Sequence, residues 1–380
     1  MVIMETLSNV ATPALVLDRD RLTVNANRMI ARAHGLNVKL RPHLKTLKSI
    51  EAARLAIDPT HGGIAAATLS EAEYFAGHGI QDIQLAVCLP PAKFHRVAEI
   101  MRQAPKFSFF VDSTEVAQAA SEFAKTTGAA LRAWIEIDCG GHRTGVAPDD
   151  PELIKIAAAL GTHVRLEGVA THAGQSYADI TPAEIAKIAE AERLAVVSAA
   201  ERLRTAEYEV PGISAGSTPT AVHARSAVGL TEWRPGVYLA GDLFQAAVNS
   251  LAMDDIALSV LATVISHNRS RQQIVVDAGG LALSKDRSTV SMAGRDGGYG
   301  LVTDLGARQR FGPMHICEVH QEHGVIRGVS DAQFDALPIG ARIRILPNHA
   351  CMTAAMYDEY LITNGDSTVA TRWSRINGWS

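Results

Sequence analysis

Apolar residues fall into short runs along the chain, separated by Ala-, Glu- and Lys-rich stretches whose apolar positions recur at helical spacing. Thr12-Pro13-Ala14-Leu15-Val16-Leu17-Asp18 reads as a strand. Arg19 to Ala33 reads as a helix, with Leu22, Met29 and Ile30 on its apolar face. Strand-like runs follow at residues 38–41, 63–66, 80–86, 107–111, 131–137, 164–170, 213–215 and 236–239. The clearest helix between them opens at Thr181-Pro182-Ala183-Glu184: a Thr N-cap, a Pro at the first helical position and a Glu three residues after the cap. Its apolar face continues through Ile185, Ile188, Ala195 and Ala199. Strand–helix alternation repeated about eight times predicts a parallel (β/α)8 barrel. A doubly wound open sheet shares the local pattern, but the count, and the lack of a GxGxxG after an early strand, favour the barrel.

After about Ile256 the pattern changes. Residues 258–265, 273–276, 341–346, 357–362 and 369–373 are short β-type runs between Gly, Asp and Asn turns. They predict a second, mostly β domain, which the opening strand joins. The expected division is a barrel over 18–255 and a β domain made of 1–17 plus 256–380.

Composition acts mainly by exclusion. A chain of 380 residues, 47% hydrophobic and 20% charged, is an ordinary globular protein with room for a barrel and a smaller partner. A net charge of -4 gives no reason to expect a nucleic-acid partner. No apolar run approaches the roughly 20 residues of a membrane helix, and Met1 to Thr6 has neither the basic nor the apolar part of a signal peptide. Cys88, Cys139, Cys317 and Cys351 are scattered without a CxxC, so a disulfide framework is not expected and a reduced, cytoplasmic setting is.

A barrel carries its chemistry at the C-terminal ends of its strands and its phosphate sites after strands seven and eight. Lys45 and His43 follow the first barrel strand, and a lysine there can serve as a Schiff-base amine if held partly desolvated. Lys48 is expected to be the solvated one. Gly216-Ser217-Thr218 follows the seventh strand with a glycine, two hydroxyls and N–H groups suited to phosphate; an ordinary helix cap reads the same way. Arg143, Arg234, His172 and Tyr177 lie near other strand ends, where paired surface arginines and rim residues are the plainer alternative. In the β region, His349 and Cys351 are two positions apart. On an extended strand end they would share a face, and imidazole with thiolate suits Zn²⁺, leaving positions open for water and substrate. Cys317, His320 and His323 form a rival run.

These motifs together resemble a known group. Thr12-Pro13-Ala14, Arg41-Pro42-His43-x-Lys45-Thr46-x-Lys48, Glu136-x-Asp138, His142-Arg143-x-Gly145-Val146 and Thr171-His172-Ala173-Gly174 match it in order. So do Gly216-Ser217-Thr218-Pro219-Thr220, Asp277-Ala278-Gly279, Gln321-Glu322-His323-Gly324 and Pro347-Asn348-His349-x-Cys351. The chain resembles the D-serine dehydratase / D-threonine aldolase family of pyridoxal phosphate (PLP) enzymes, which have the alanine racemase architecture. The resemblance implies that Lys45 forms the Schiff base with PLP. Gly216, Ser217 and Thr218, with Gly236 and Val237, would hold its phosphate. Arg143, His172, Tyr177, Arg234 and Tyr238 would complete the cofactor site, with Arg234 nearest the pyridine nitrogen. It further implies a divalent metal on His349 and Cys351 (Zn²⁺ first, Mn²⁺ or Mg²⁺ as alternatives) and a homodimer. The expected reaction is β-elimination on a D-3-hydroxy amino acid such as D-threo-3-hydroxyaspartate or D-serine, giving a keto acid and ammonia. Retro-aldol cleavage to glycine and an aldehyde is the alternative; aldolases of the group carry Asp where Cys351 stands, so the His349-x-Cys351 pair favours the dehydratase. A racemase, or a non-catalytic PLP-binding protein, would have no use for the metal pair.

Overall fold

The computed structural model describes residues 5–178, 181–292 and 294–379. Among these, residues 28–236 with Gly378 and Trp379 form one compact unit, and residues 5–27 with 237–377 form another. In chain order the strands are β1 (Ala14–Asp18), β2 (Lys39–Leu40), β3 (Ile64–Ala66), β4 (Ile83–Cys88), β5 (Ser108–Val111), β6 (Arg132–Ile137), β7 (Arg165–Thr171), β8 (Gly212–Ala215) and β9 (Glu232–Trp233). They continue as β10 (Leu258–Asn268), β11 (Gln273–Val276), β12 (Leu301–Thr303), β13 (Glu318–Val319), β14 (Gly324–Arg327), β15 (Arg342–Leu346), β16 (Glu359–Thr363) and β17 (Thr371–Ser374).

The first unit is the expected parallel barrel. Its eight strands run in the order β2-β9-β8-β7-β6-β5-β4-β3, with every pairing parallel. The two ends of that order meet just past β2, where Leu44 N–H donates to Ala65 O and Ala65 N–H to Pro42 O, both at 2.9 Å. The helix Pro182–Thr205 has the reciprocal Thr181–Glu184 cap that its opening residues predict. The eighth strand differs from expectation. It is Glu232–Trp233, and the predicted run at 236–239 is a turn in which Gly241 N–H closes on Val237 O at 2.8 Å. That run is apolar because Val237, Tyr238 and Leu239 are buried, and an apolar run alone does not separate a buried strand from a buried turn. The shift places Arg234 after the eighth strand, not at its start.

Inside the barrel, Glu232 on β9 is the hub of a buried polar network. Both its oxygens accept from Arg41 Nε, at 3.0 and 2.9 Å. It also accepts from Gln84 Nε2 at 3.2 Å and Ser214 Oγ at 2.6 Å, and pairs with His61 Nε2 at 3.1 Å. Arg41 is satisfied further by Asp82 at 2.6 Å. One carboxylate thus ties the first, third, seventh and eighth barrel strands. Burial raises its proton affinity, but the Arg41 charge, His61 and Ser214 outweigh that and hold Glu232 well below the usual carboxylate range.

The second unit is a mixed nine-stranded sheet ordered β13-β14-β11-β10-β1-β16-β17, with β15 on β10 and β12 on β15. The opening strand β1 lies between β10 (antiparallel) and β16 (parallel). Its entry is pinned by Thr12 Oγ1, which donates to Asp277 Oδ2 at 2.5 Å, while Thr263 N–H donates to Asp277 Oδ1 at 2.7 Å. A Cβ at Gly279 would stand 2.4 Å from Gln321 O and from His323 N. The Asp277-Ala278-Gly279 and Gln321-Glu322-His323-Gly324 motifs therefore mark backbones in contact.

Glu232→Gln leaves Arg41 buried beside a neutral amide and is expected to cost about 3–5 kcal/mol in denaturant unfolding. Because the folded pKa is depressed, the deficit is full above the ordinary carboxylate pKa and narrows as pH falls toward the depressed value. An unchanged midpoint at neutral pH would contradict the hub role.

Candidate active site

Local chemistry builds the rim of the barrel. Asp138 follows β6 and folds the loop carrying Arg143: its Oδ1 accepts the N–H of Gly140 at 2.8 Å and of His142 at 3.1 Å, and its Oδ2 meets His142 Nδ1 at 3.0 Å. Gly145 has φ +96°, and a Cβ there would lie 2.8 Å from Asp138 N, so the loop requires glycine. Arg143 is exposed on this loop. Arg234 is buried. It donates through Nη2 to Thr171 O at 2.6 Å and through Nη1 to Ser214 Oγ, and it lies 5.4 Å from the Phe110 ring centre. Ser214 links it to the Glu232 hub.

Lys45 is exposed, with its N–H 3.4 Å from His43 Nδ1. Lys48, expected in solvent, instead pairs with buried Glu71 at 3.1 Å. The reason is local: Lys48 sits at φ +48°, which turns its side chain onto the helix that carries Glu71. Burial, then the charges of Lys45, Arg234, His172 and Arg143, push His43 well below its ordinary pKa. Burial and the same cations push His172 down to about 3. Three cations and two neutral imidazoles within electrostatic reach form a site that fits an anionic aromatic cofactor. Tyr177 is 39% exposed, its ring centre 6.1 Å from that of His172.

The Gly216-Ser217-Thr218 loop is buried after β8, with Gly216 at φ +100° and a hypothetical Cβ 3.2 Å from Trp233. Two of its N–H groups have partners within the protein. Gly216 N–H donates to Glu192 Oε1 at 3.2 Å, and Ser217 N–H to Thr220 Oγ1 at 2.8 Å in a reciprocal cap. Ser217 Oγ also meets Ser176 Oγ at 2.9 Å. Glu192, whose side chain also accepts Ala173 N–H at 2.8 Å, organises this loop; burial raises its pKa. Gly236 is glycine because His43 O would lie 2.6 Å from a Cβ. Val237 and Tyr238 are buried and belong to the β-sheet unit.

In that unit β15 ends at Leu346, and His349 is the N-cap of the short helix Ala350–Ala354, with Cys351 in its first turn. The pair therefore meets across a helix cap and not along an extended strand. Burial lowers the His349 pKa, but the hydrogen bond and charge of Cys351, with Asp242 and Asp286, raise it to about 10. That surplus of negative groups around one imidazole is what a divalent cation satisfies, and imidazole with thiol suits a borderline-soft ion. Asp242 is buried, capping the helix Leu243–Ala247 through Gln245 N–H at 2.9 Å and accepting Ala350 N–H at 3.0 Å. Asp286 accepts from His349 Nδ1 at 2.6 Å.

The rival run does not assemble: Cys317 Sγ donates to Val325 O at 3.2 Å, and His320 pairs with Glu318 at 3.2 Å. Among the described residues, one group of three brings its donor atoms within 4.8 Å of one another: Cys88, Asp112 and Glu136, at the ends of β4, β5 and β6. Burial and the two carboxylates push the Cys88 thiol far up, so it stays protonated and donates to Glu136 Oε2 at 3.1 Å. Glu192, Glu232, Asp242 and Asp286 are absent from the sequence-predicted set. Asp242 is a local N-cap signal before Leu243; the contacts of the others, and that of Asp242 with Ala350, join groups well separated along the chain.

Residues 17–243 match the model of the alanine racemase N-terminal domain, and residues 257–363 that of a serine dehydratase domain. The chain is 42% identical over 99% of its length to the whole of D-threo-3-hydroxyaspartate dehydratase from Delftia sp. strain HT23. It is 28% identical over 97% of its length to D-threonine aldolase from Arthrobacter sp., covering 92% of that protein. Among solved structures, a cysteine-to-alanine variant of D-threo-3-hydroxyaspartate dehydratase in its metal-free form superposes with a TM-score of 0.93. The identity is 41%, with 99% of this chain and 100% of that one covered.

With His172 depressed to about 3, its imidazole is expected to remain neutral from pH 8 to pH 5 in the cofactor-free protein, as followed by nitrogen-15 chemical shifts. A transition near the ordinary 6.5 would contradict the clustering of cations around it.

Proposed function

Because the chain belongs to the alanine racemase N-terminal domain family and carries a serine dehydratase domain behind it, we propose that it is a PLP- and metal-dependent dehydratase of D-3-hydroxy amino acids. The products are a keto acid and ammonia. The observation that carries the proposal is the His349–Cys351 pair, set among acidic groups, in a chain 42% identical from end to end to a D-threo-3-hydroxyaspartate dehydratase. D-threo-3-hydroxyaspartate is accordingly the preferred substrate, with D-serine a second.

Bound PLP supplies a covalent imine link to an amine and an acceptor for the electron pair released when the Cα proton leaves. A bound divalent ion supplies a Lewis acid that makes hydroxide a workable leaving group. The chain's residues do the rest. Lys45 would provide the amine that holds the cofactor and, with that amine free, the base for the Cα proton. Gly216, Ser217 and Thr218, with Gly236 and Val237, hold the phosphate. The Ser217 hydroxyl can rotate between its present partners and a ligand. Arg143, His172, Tyr177 and Tyr238 line the ring. Arg234, kept in place by Ser214 and Thr171, would face the ring as a fixed donor, and a donor at the pyridine nitrogen would favour its unprotonated form. His349 and Cys351 hold Zn²⁺ in preference to Mn²⁺ or Mg²⁺.

We assign the cofactor to a barrel over 18–255 and the metal to a β domain of 1–17 plus 256–380. The working enzyme is taken as a homodimer by analogy with the fold. Among the described residues Cys88, Cys139, Cys317 and Cys351 form no disulfide and no helix is long and apolar enough to cross a membrane; a reduced, cytoplasmic setting is part of this reading.

Lys45→Ala is expected to abolish the long-wavelength absorbance of the PLP-loaded enzyme; persistence of that band would reassign the lysine. Treating the holoenzyme with a chelator is expected to stop ammonia release from D-threo-3-hydroxyaspartate, and Zn²⁺ to restore it. Full turnover after verified metal removal would overturn the metal-assisted reading.

A further inference from the structure

The imidazole of His349 is held from behind. Its Nδ1 lies 2.6 Å from Asp286 Oδ2, a charge-assisted distance. The other oxygen, Asp286 Oδ1, accepts from Ser288 Oγ at 2.8 Å, and the Asp286 N–H donates to Ser284 Oγ at 3.1 Å. Ser288 Oγ itself comes to 3.5 Å from His349 Nδ1. A carboxylate only accepts, so the proton between Asp286 and His349 belongs to Nδ1. In a neutral imidazole the lone pair is then on Nε2, the nitrogen turned away from Asp286.

The backbone at this point is fixed by other means. Asn348, buried next to His349, donates through Nδ2 to Thr289 Oγ1 and Gly298 O, both at 2.7 Å, and accepts Thr289 N–H at 3.2 Å. Asp242 holds the Ala350 N–H. Asp286 and His349 are each only about two-thirds buried, with side-chain exposures of 33%. Replacing Asp286 therefore frees the ring without removing a support of the fold.

We propose that Asp286, steadied by Ser288, is a positioning residue for the metal site: it fixes the tautomer and orientation of His349 so that Nε2 is the metal ligand. This rests on the assignment of His349 and Cys351 as the ligands. Outer partners of ligating histidines typically contribute about 10–100-fold to metal affinity.

The test is Zn²⁺ affinity of the PLP-loaded, metal-stripped enzyme, measured by competition with a chromophoric chelator, alongside the thermal midpoint without metal. Asp286→Ala is expected to weaken Zn²⁺ binding by about 10–100-fold with the metal-free midpoint unchanged, and Asp286→Glu to recover part of the loss. His349→Ala separates this idea from the one beneath it. If His349→Ala loses the site while Asp286→Ala binds Zn²⁺ as the wild type does, the positioning role is wrong. A fall in the metal-free midpoint matching the lost affinity, in both Asp286→Ala and Asp286→Asn, would make the role structural and also overturn it. Wild-type affinity in His349→Ala would remove the ligand assignment and the inference together.

Discussion

The barrel depends on one buried carboxylate. Glu232 accepts from Arg41, Gln84 and Ser214 and pairs with His61, so strands far apart in sequence meet on a single charge. Two ions are costly to bury, and the geometry must be complete for their attraction to offset that cost. Here the requirement fixes more than stability. Ser214 donates to Glu232 and accepts from Arg234, so the group that fixes the barrel interior also sets the Arg234 cation just past β9. Burial, and after it the surrounding cations, Arg234 among them, keep His43 and His172 neutral.

The β-sheet unit shows the opposite electrostatics. Acidic groups and a thiol surround His349 and raise its pKa, so that site calls for a cation as strongly as the barrel rim calls for an anion. Elimination of water from a β-hydroxy amino acid, the reaction we propose, needs a place for the electrons leaving Cα and a charge at the departing oxygen.

Much of this was legible in the chain, for identifiable reasons. Parallel strands buried on both faces leave dense apolar runs, and the Thr181–Glu184 cap is a local signal that needs no tertiary context. The eighth strand was misplaced because the buried turn after Gly236 is as apolar as a strand, while the true strand carries Glu232, a charge that argues for the surface until its partner Arg41 is seen. Lys48 was misassigned because its pairing depends on a positive φ that residue identity does not announce. The spacing of His349 and Cys351 suggests a strand end, whereas the structure sets them at a helix cap, which residue spacing alone does not distinguish. Asp286 could not be found at all, since it reaches His349 across 63 positions.

The reaction we propose is C–O cleavage, not C–C cleavage. Nuclear magnetic resonance of the products formed from carbon-13-labelled D-threo-3-hydroxyaspartate by the metal-loaded holoenzyme tests it most directly. The account predicts a four-carbon keto acid with one equivalent of ammonia. Glycine and a two-carbon aldehyde acid would contradict it.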